Sequence, residues 1–129
     1  MARKEGRFVT AINCMDGRVQ LPLINYLKNR HRADYVDMIT LPGPNKILAE
    51  KKDRWALKSV KRCIGISVNL HGSDLIVLAG HYDCGGNPAN KKIQEKQTKK
   101  AAKLVKTWFP DVQIICLWIN RNWQVKEIK

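Results

Sequence analysis

In the stretch Asp74-Leu75-Ile76-Val77-Leu78-Ala79-Gly80 no polar residue follows Asp74. A strand with one wet face alternates apolar and polar side chains. This run does not alternate, so it reads as a central strand covered on both faces. Such strands belong to parallel sheets, whose members are joined by long crossovers that are usually helical. The strand therefore asks for helices before and after it, and it runs directly into His81.

Working outward, residues 45–71 read as one long helix with Asn45 as its cap. Ile47, Leu48, Trp55, Leu57, Val60, Cys63, Ile64 and Val68 form its buried stripe, and His71-Gly72 lies at its end. Further upstream, residues 33–41 form a strand closed by Pro42-Gly43-Pro44, which no regular element crosses. Residues 7–13 form the first strand. Between these two strands, residues 19–29 place Val19, Leu23, Ile24 and Leu27 at helical spacing, with Pro22 tolerable only in a first turn. Downstream, residues 89–109 put Ile93, Ala101, Leu104, Val105 and Trp108 on one helical side before Pro110 ends the helix. Residues 112–119 are a further apolar strand, and 123–128 a short edge strand. The pattern predicts a three-layer α/β/α fold around a mainly parallel sheet of about four strands, order 2-1-3-4, plus the C-terminal edge strand. The 129 residues are the size of one domain, residues 1–129.

Two strand ends carry the chemistry. Cys14-Met15-Asp16-Gly17-Arg18 follows the first strand and His81-Tyr82-Asp83-Cys84 follows the central one. In open parallel sheets ligands gather beyond the carboxyl ends of the strands, where strand order reverses, and an order 2-1-3-4 makes strands one and three neighbours at that point. Two thiols and an imidazole would then form a three-ligand zinc site with one position open. Two thiolates weaken the Lewis acidity of the metal, so a neighbour must assist. Asp16 can accept a hydrogen bond from metal-bound water, and Arg18 can hold its carboxylate ionised. Water on such a metal ionises near pH 7, which suits a small electrophile such as CO2. The plainer readings are two buried thiols with a hydrogen-bonded imidazole, and, for Asp16 and Arg18, a surface ion pair or a helix N-terminal cap.

The Cys14-x-Asp16-x-Arg18 segment resembles one motif of the β-class carbonic anhydrases, and Gly80-His81-x-x-Cys84-Gly85 resembles the other. The resemblance implies a Zn2+ cofactor on Cys14, His81 and Cys84, an Asp16–Arg18 dyad, and reversible hydration of CO2 to bicarbonate. It also implies a homodimer or a multiple of dimers, with Asp16 either the partner of water or a fourth ligand that closes the site. Gly17, Tyr82 and the turn Leu41-Pro42-Gly43-Pro44 depart from the common family pattern, and relatives of this fold use the same ligands to hydrolyse carbonyl sulfide or carbon disulfide. The alternatives are that chemistry, or a non-catalytic zinc- or anion-binding protein whose basic surface engages nucleic acid or another acidic partner.

Twenty-four Lys and Arg against 11 Asp and Glu give a net charge of +13, a field that favours anionic partners without choosing among them. No recognisable RNA or DNA module accompanies the lysines, so nucleic acid is the minor reading. The start Met-Ala-Arg-Lys-Glu-Gly-Arg has no long apolar segment and no window reaches membrane-spanning length, which predicts a cytoplasmic protein without a membrane partner. Cys63 and Cys116 fall on apolar stripes as core residues. His31 and His71 lack partners at ligand spacing, Asp83 is a turn residue, and the four tryptophans are expected in the core or an interface. Gln20 and Asn90 stand where a phosphatase-type Cys-x5-Arg loop needs arginine, and no Cys-x-x-Cys pair is present.

Overall fold

A computed structural model of the protein describes residues 5–129. Its sheet is built from β1 (Phe8–Cys14), β2 (Tyr35–Leu41), β3 (Leu75–His81), β4 (Gln113–Ile119) and β5 (Val125–Glu127). The order is β2-β1-β3-β4-β5, with the first four strands parallel and β5 antiparallel to β4. Each strand lies within two residues of its expected position. All seven residues of β3 are buried, as its unbroken apolar run requires.

Alternation along the strands feeds two cores. On one face Val9, Ala11, Leu75, Val77 and Ala79 meet Val19, Leu23 and Leu27 of α1 (Gly17–His31). On the other face Ile12, Ile76 and Leu78 meet Leu48, Val60, Ile64, Ala101 and Val105. Those residues come from α2 (Pro44–Glu50), α3 (Arg54–Gly65) and α4 (Lys91–Trp108). Each fully buried Leu, Ile or Val contributes about 1.5–3 kcal/mol relative to an exposed one, so both helical layers are fastened through β1 and β3.

Three helical expectations are corrected. The helix expected over residues 45–71 is α2, a break, α3 and a π-helical turn, Ile66–Leu70. Lys51 ends α2 in the left-handed conformation (φ 59°), and Asp53 caps α3 by accepting from Ala56 N at 3.0 Å. Trp55 follows that cap and is 85% exposed, not buried. Asn45 is no cap either: Pro44 opens α2, and the buried Asn45 side chain reaches Thr98. In α1, Asp16 is the cap, so the helix begins at Gly17 and Pro22 lies inside it beyond the first turn. In α4 Ile93 is 48% exposed, and the buried line is Gln94, Thr98, Ala101 and Val105.

Candidate metal centre

β1 and β3 are adjacent and parallel, so Cys14 at the end of one strand and His81 at the end of the other arrive on the same edge. The turn after β3 then returns Cys84. All three residues are buried, and one donor atom from each lies within 4.8 Å of the others. The two sulfurs are 3.8 Å apart. Two thiolates on one tetrahedral zinc, with Zn–S near 2.3 Å, stand about 3.8 Å apart. His81 Nδ1 donates to Tyr82 O at 2.7 Å, which leaves Nε2 as the nitrogen with a free lone pair. That Nε2 is buried without a hydrogen-bond partner. An unpaired buried acceptor is costly unless something occupies it, and an imidazole fixed through Nδ1 to a carbonyl is the arrangement metal-binding histidines adopt.

Burial sets the resting protonation of this group. Burial lowers the His81 pKa, partly offset by the hydrogen bond to Tyr82 O, so the ring is held neutral. Burial, and next the nearby Cys14, push the Cys84 thiol up, while the backbone N–H groups of Gly86 and Asn87 pull in the opposite direction. Metal entry must therefore displace a proton from Cys84.

Asp16 and Arg18 lie at the mouth. The Arg18 guanidinium grips the carboxylate through Nε (3.1 and 3.2 Å) and Nη2 (2.7 Å), and Asp16 Oδ1 also accepts from Arg18 N at 2.9 Å. The side-chain hydrogen bonds of Arg18 lower the Asp16 pKa to about 2, against the opposing effect of burial. Asp83, read as a turn residue, does sit in a left-handed turn (φ 58°), and it also holds Arg18 through its carbonyl (3.0 Å) and carboxylate (3.2 Å). Trp123 lies beneath the guanidinium at 4.6 Å. A cleft of about 190 Å³ lined by Cys14, Met15, Asp16, Pro42, Gly85 and Gly86 opens onto this edge.

Residues from the helices brace the centre, and motif reading missed them. Gln94 in α4 accepts from His81 N (3.2 Å) and donates to His81 O (2.9 Å) and Ala89 O (3.0 Å), pinning the strand end on both sides. Gly80 leaves room for it, because a Cβ there would stand 3.0 Å from Gln94 Oε1. Thr98 and Asn45 continue this buried chain. Gln20 donates to Cys14 O (2.7 Å) and Asp16 O (3.0 Å), fixing the other motif. A signal was present, since 94, 98, 101 and 105 keep helical phase with the apolar line of α4. The remaining candidates lie elsewhere: His71 Nδ1 pairs with Asp37 Oδ2 at 2.7 Å, which also accepts from Ser67 at 2.6 Å, and Cys63 and Cys116 are only half-buried.

A mostly parallel sheet of this order with a buried Cys-His-Cys group at its switch point defines an α/β protein of the β-carbonic-anhydrase type. The family model described as "Putative carbonic anhydrase" matches residues 4–129, and the chain belongs to that family. An uncharacterized protein of Rickettsia bellii is 27% identical over 133 residues, covering 91% of this chain and 79% of its own. The carbonic anhydrase of Streptococcus mutans superposes with a TM-score of 0.68 at 18% identity, over 98% of this chain and 84% of that one. The apo form of a carbon disulfide hydrolase superposes with a TM-score of 0.61 at 13% identity, over 96% and 79%. At such identities the structural likeness speaks to the fold alone.

Proposed function

We propose that residues 1–129 work as one zinc domain catalysing the reversible hydration of CO2 to bicarbonate, with Cys14, His81 and Cys84 as the metal ligands. The observation that carries this reading is the buried, unpaired Nε2 of His81 beside two thiols at zinc-compatible separation. Zinc held there supplies Lewis acidity that makes water nucleophilic near neutral pH. Asp16 stays ionised throughout the physiological range and accepts a hydrogen bond from the attacking water, orienting its lone pair. Arg18 is a positioning residue: its fork holds the carboxylate from the side. That grip also favours Asp16 as a partner of water over Asp16 as a fourth ligand, because closing the site would break three hydrogen bonds to the guanidinium.

The cleft has room for a triatomic substrate, and its rim is apolar at Met15 and Pro42. Exposed Met15, which lines the cleft, and Tyr82, which follows His81, support a second copy as its cover, in a homodimer or multiple of dimers. No described helix is long and apolar enough to cross a membrane.

Metal analysis of the purified chain is expected to give about one zinc per chain, lost in Cys84→Ala. Stopped-flow CO2 hydration is expected in the wild type, with Asp16→Asn still zinc-loaded and slower by about a hundredfold or more. Absence of zinc after metal-replete refolding would sink the centre. A zinc-loaded protein inactive on CO2 but turning over carbonyl sulfide or carbon disulfide would keep the centre and change the substrate.

A further inference from the structure

The fold sorts the charge that the sequence leaves mixed. Helices α2, α3 and α4, with the connection between the first two, carry 14 of the 24 Lys and Arg but only three of the 11 acids. Eleven of the thirteen net positive charges therefore sit on the helical layer opposite α1. Among the described residues none of these 14 cations is in an ion pair. One of the three acids, Asp53, is committed to capping α3.

The layer has internal order. On α4, Lys92, Lys96, Lys99 and Lys103 are all exposed and follow one another at four-, three- and four-residue steps, a single file about 16 Å long. Lys61 of α3 lies 5.6 Å over the Trp108 ring of α4, which joins the two cationic helices into one surface. At the start of α3, Trp55 is 85% exposed between Arg54 and Lys58, beside a shallow cleft of about 240 Å³ lined by these three residues. Nothing in the core uses that indole.

We propose that this face binds single-stranded nucleic acid, its phosphates tracking the lysine file and an unpaired base stacking on Trp55. A file of cations matches a linear polyanion, and an exposed ring flanked by cations is the element that single-strand binders use for bases. A duplex keeps its base faces stacked and has nothing to place on Trp55. A second copy of this chain would bring eleven like charges against eleven. A bilayer would need an apolar face to insert, and here the apolar side of α4 is spent on the sheet through Ala101 and Val105.

The test is a titration of the full chain with labelled single-stranded RNA and DNA, the matching duplex, and phosphatidylserine vesicles, across about 50 to 300 mM salt. The expected result is saturable binding of a single strand at least about tenfold tighter than the duplex, with a log K against log salt slope of about −3. The RNA and DNA arms identify the preferred sugar. Trp55→Ala should cost about tenfold in affinity with the slope unchanged. Joint Lys92→Glu, Lys96→Glu, Lys99→Glu and Lys103→Glu should abolish binding or flatten the slope. No saturable binding at low salt, equal affinity for duplex, an unaffected Trp55→Ala variant, or preference for vesicles each overturns the proposal. If the fourfold variant fails to fold, Trp55→Ala decides, since that side chain is nearly all in solvent.

Discussion

Arg18 is held by three residues that share no sequence neighbourhood: Asp16 on its own helix cap, Asp83 after β3 and Trp123 after β4. Asp83 and Trp123 both have left-handed backbones, φ 58° and 60°. For a bulky residue such as tryptophan that conformation costs free energy, and strain of this kind persists where surrounding structure enforces it. Here the enforcement is visible: Trp123 N donates to Asn120 O, and Asn120 Oδ1 accepts from Asn122 N and Gln124 N. The strained loop delivers the ring to the guanidinium. Trp123→Leu is therefore expected to leave zinc content unchanged and lower CO2 hydration a few-fold, as one face of Arg18 loses about 0.5–1 kcal/mol of cation–π attraction. The Arg18 side-chain NMR signals should lose their ring-current shift at the same time. Unchanged kinetics beside a lost shift would reduce Trp123 to packing. The Cys14, Asp16, Arg18, His81 and Cys84 cluster was legible in sequence because each half is a short motif at a strand end. Trp123 was not, because nothing local in Asn122-Trp123-Gln124 announces a partner more than a hundred residues away.

At the scale of elements, the strands were legible almost to the residue because apolar runs between turn residues admit few alternatives. The helices were harder. Periodicity carried straight through Lys51-Lys52-Asp53, where a left-handed cap and a new side-chain cap divide α2 from α3, and it preferred Ile93 to Gln94 because hydropathy cannot foresee a polar side chain buried to satisfy a strand end. The same division sets the short α2 over the site, preceded by a turn that presses on the Cys84 loop. Gly43, left-handed at φ 57°, and Gly86 make that approach: a Cβ on Gly86 would stand 2.6 Å from the Pro42 carbonyl carbon, and one on Gly43 2.8 Å from Asn87 Cβ. Gly85, one residue earlier, faces open space. Gly86→Ala should thus destabilise the chain by about 1–3 kcal/mol and weaken zinc retention as Cys84 shifts, whereas Gly85→Ala should stay within about 0.5 kcal/mol of wild type. Chemical denaturation of the pair, with zinc release followed by a chromogenic chelator, separates a specific backbone contact from a general preference for glycine. Equal effects would refute the contact.

For the whole molecule, the charge that composition reports as one number is a sidedness, and sidedness has a thermodynamic signature. Along α4 the pairs Lys92–Lys96, Lys96–Lys99, Lys96–Lys100, Lys99–Lys103, Lys100–Lys103 and Lys103–Lys106 stand three or four residues apart. Each like-charge pair costs a helix about 0.2–0.5 kcal/mol at low salt. The only acid inside α4 is Glu95, and the exposed cations opposite on α3 add to the repulsion. Screening must relieve this, because the Debye length shrinks from about 30 Å at 0.01 M salt to about 8 Å at 0.15 M. Raising NaCl from about 10 to 300 mM should therefore raise Tm by several degrees, the reverse of what a fold held by surface ion pairs would do. Lys96→Glu converts three repulsive pairs into attractive ones and should raise Tm by a few degrees at low salt, an advantage that fades as salt is added. A flat or falling Tm in the wild type, read by circular dichroism at fixed pH, would mean that the repulsion is offset elsewhere. A rising one would mean that the chain keeps a destabilising row of lysines, which is what a surface retained for a polyanion predicts.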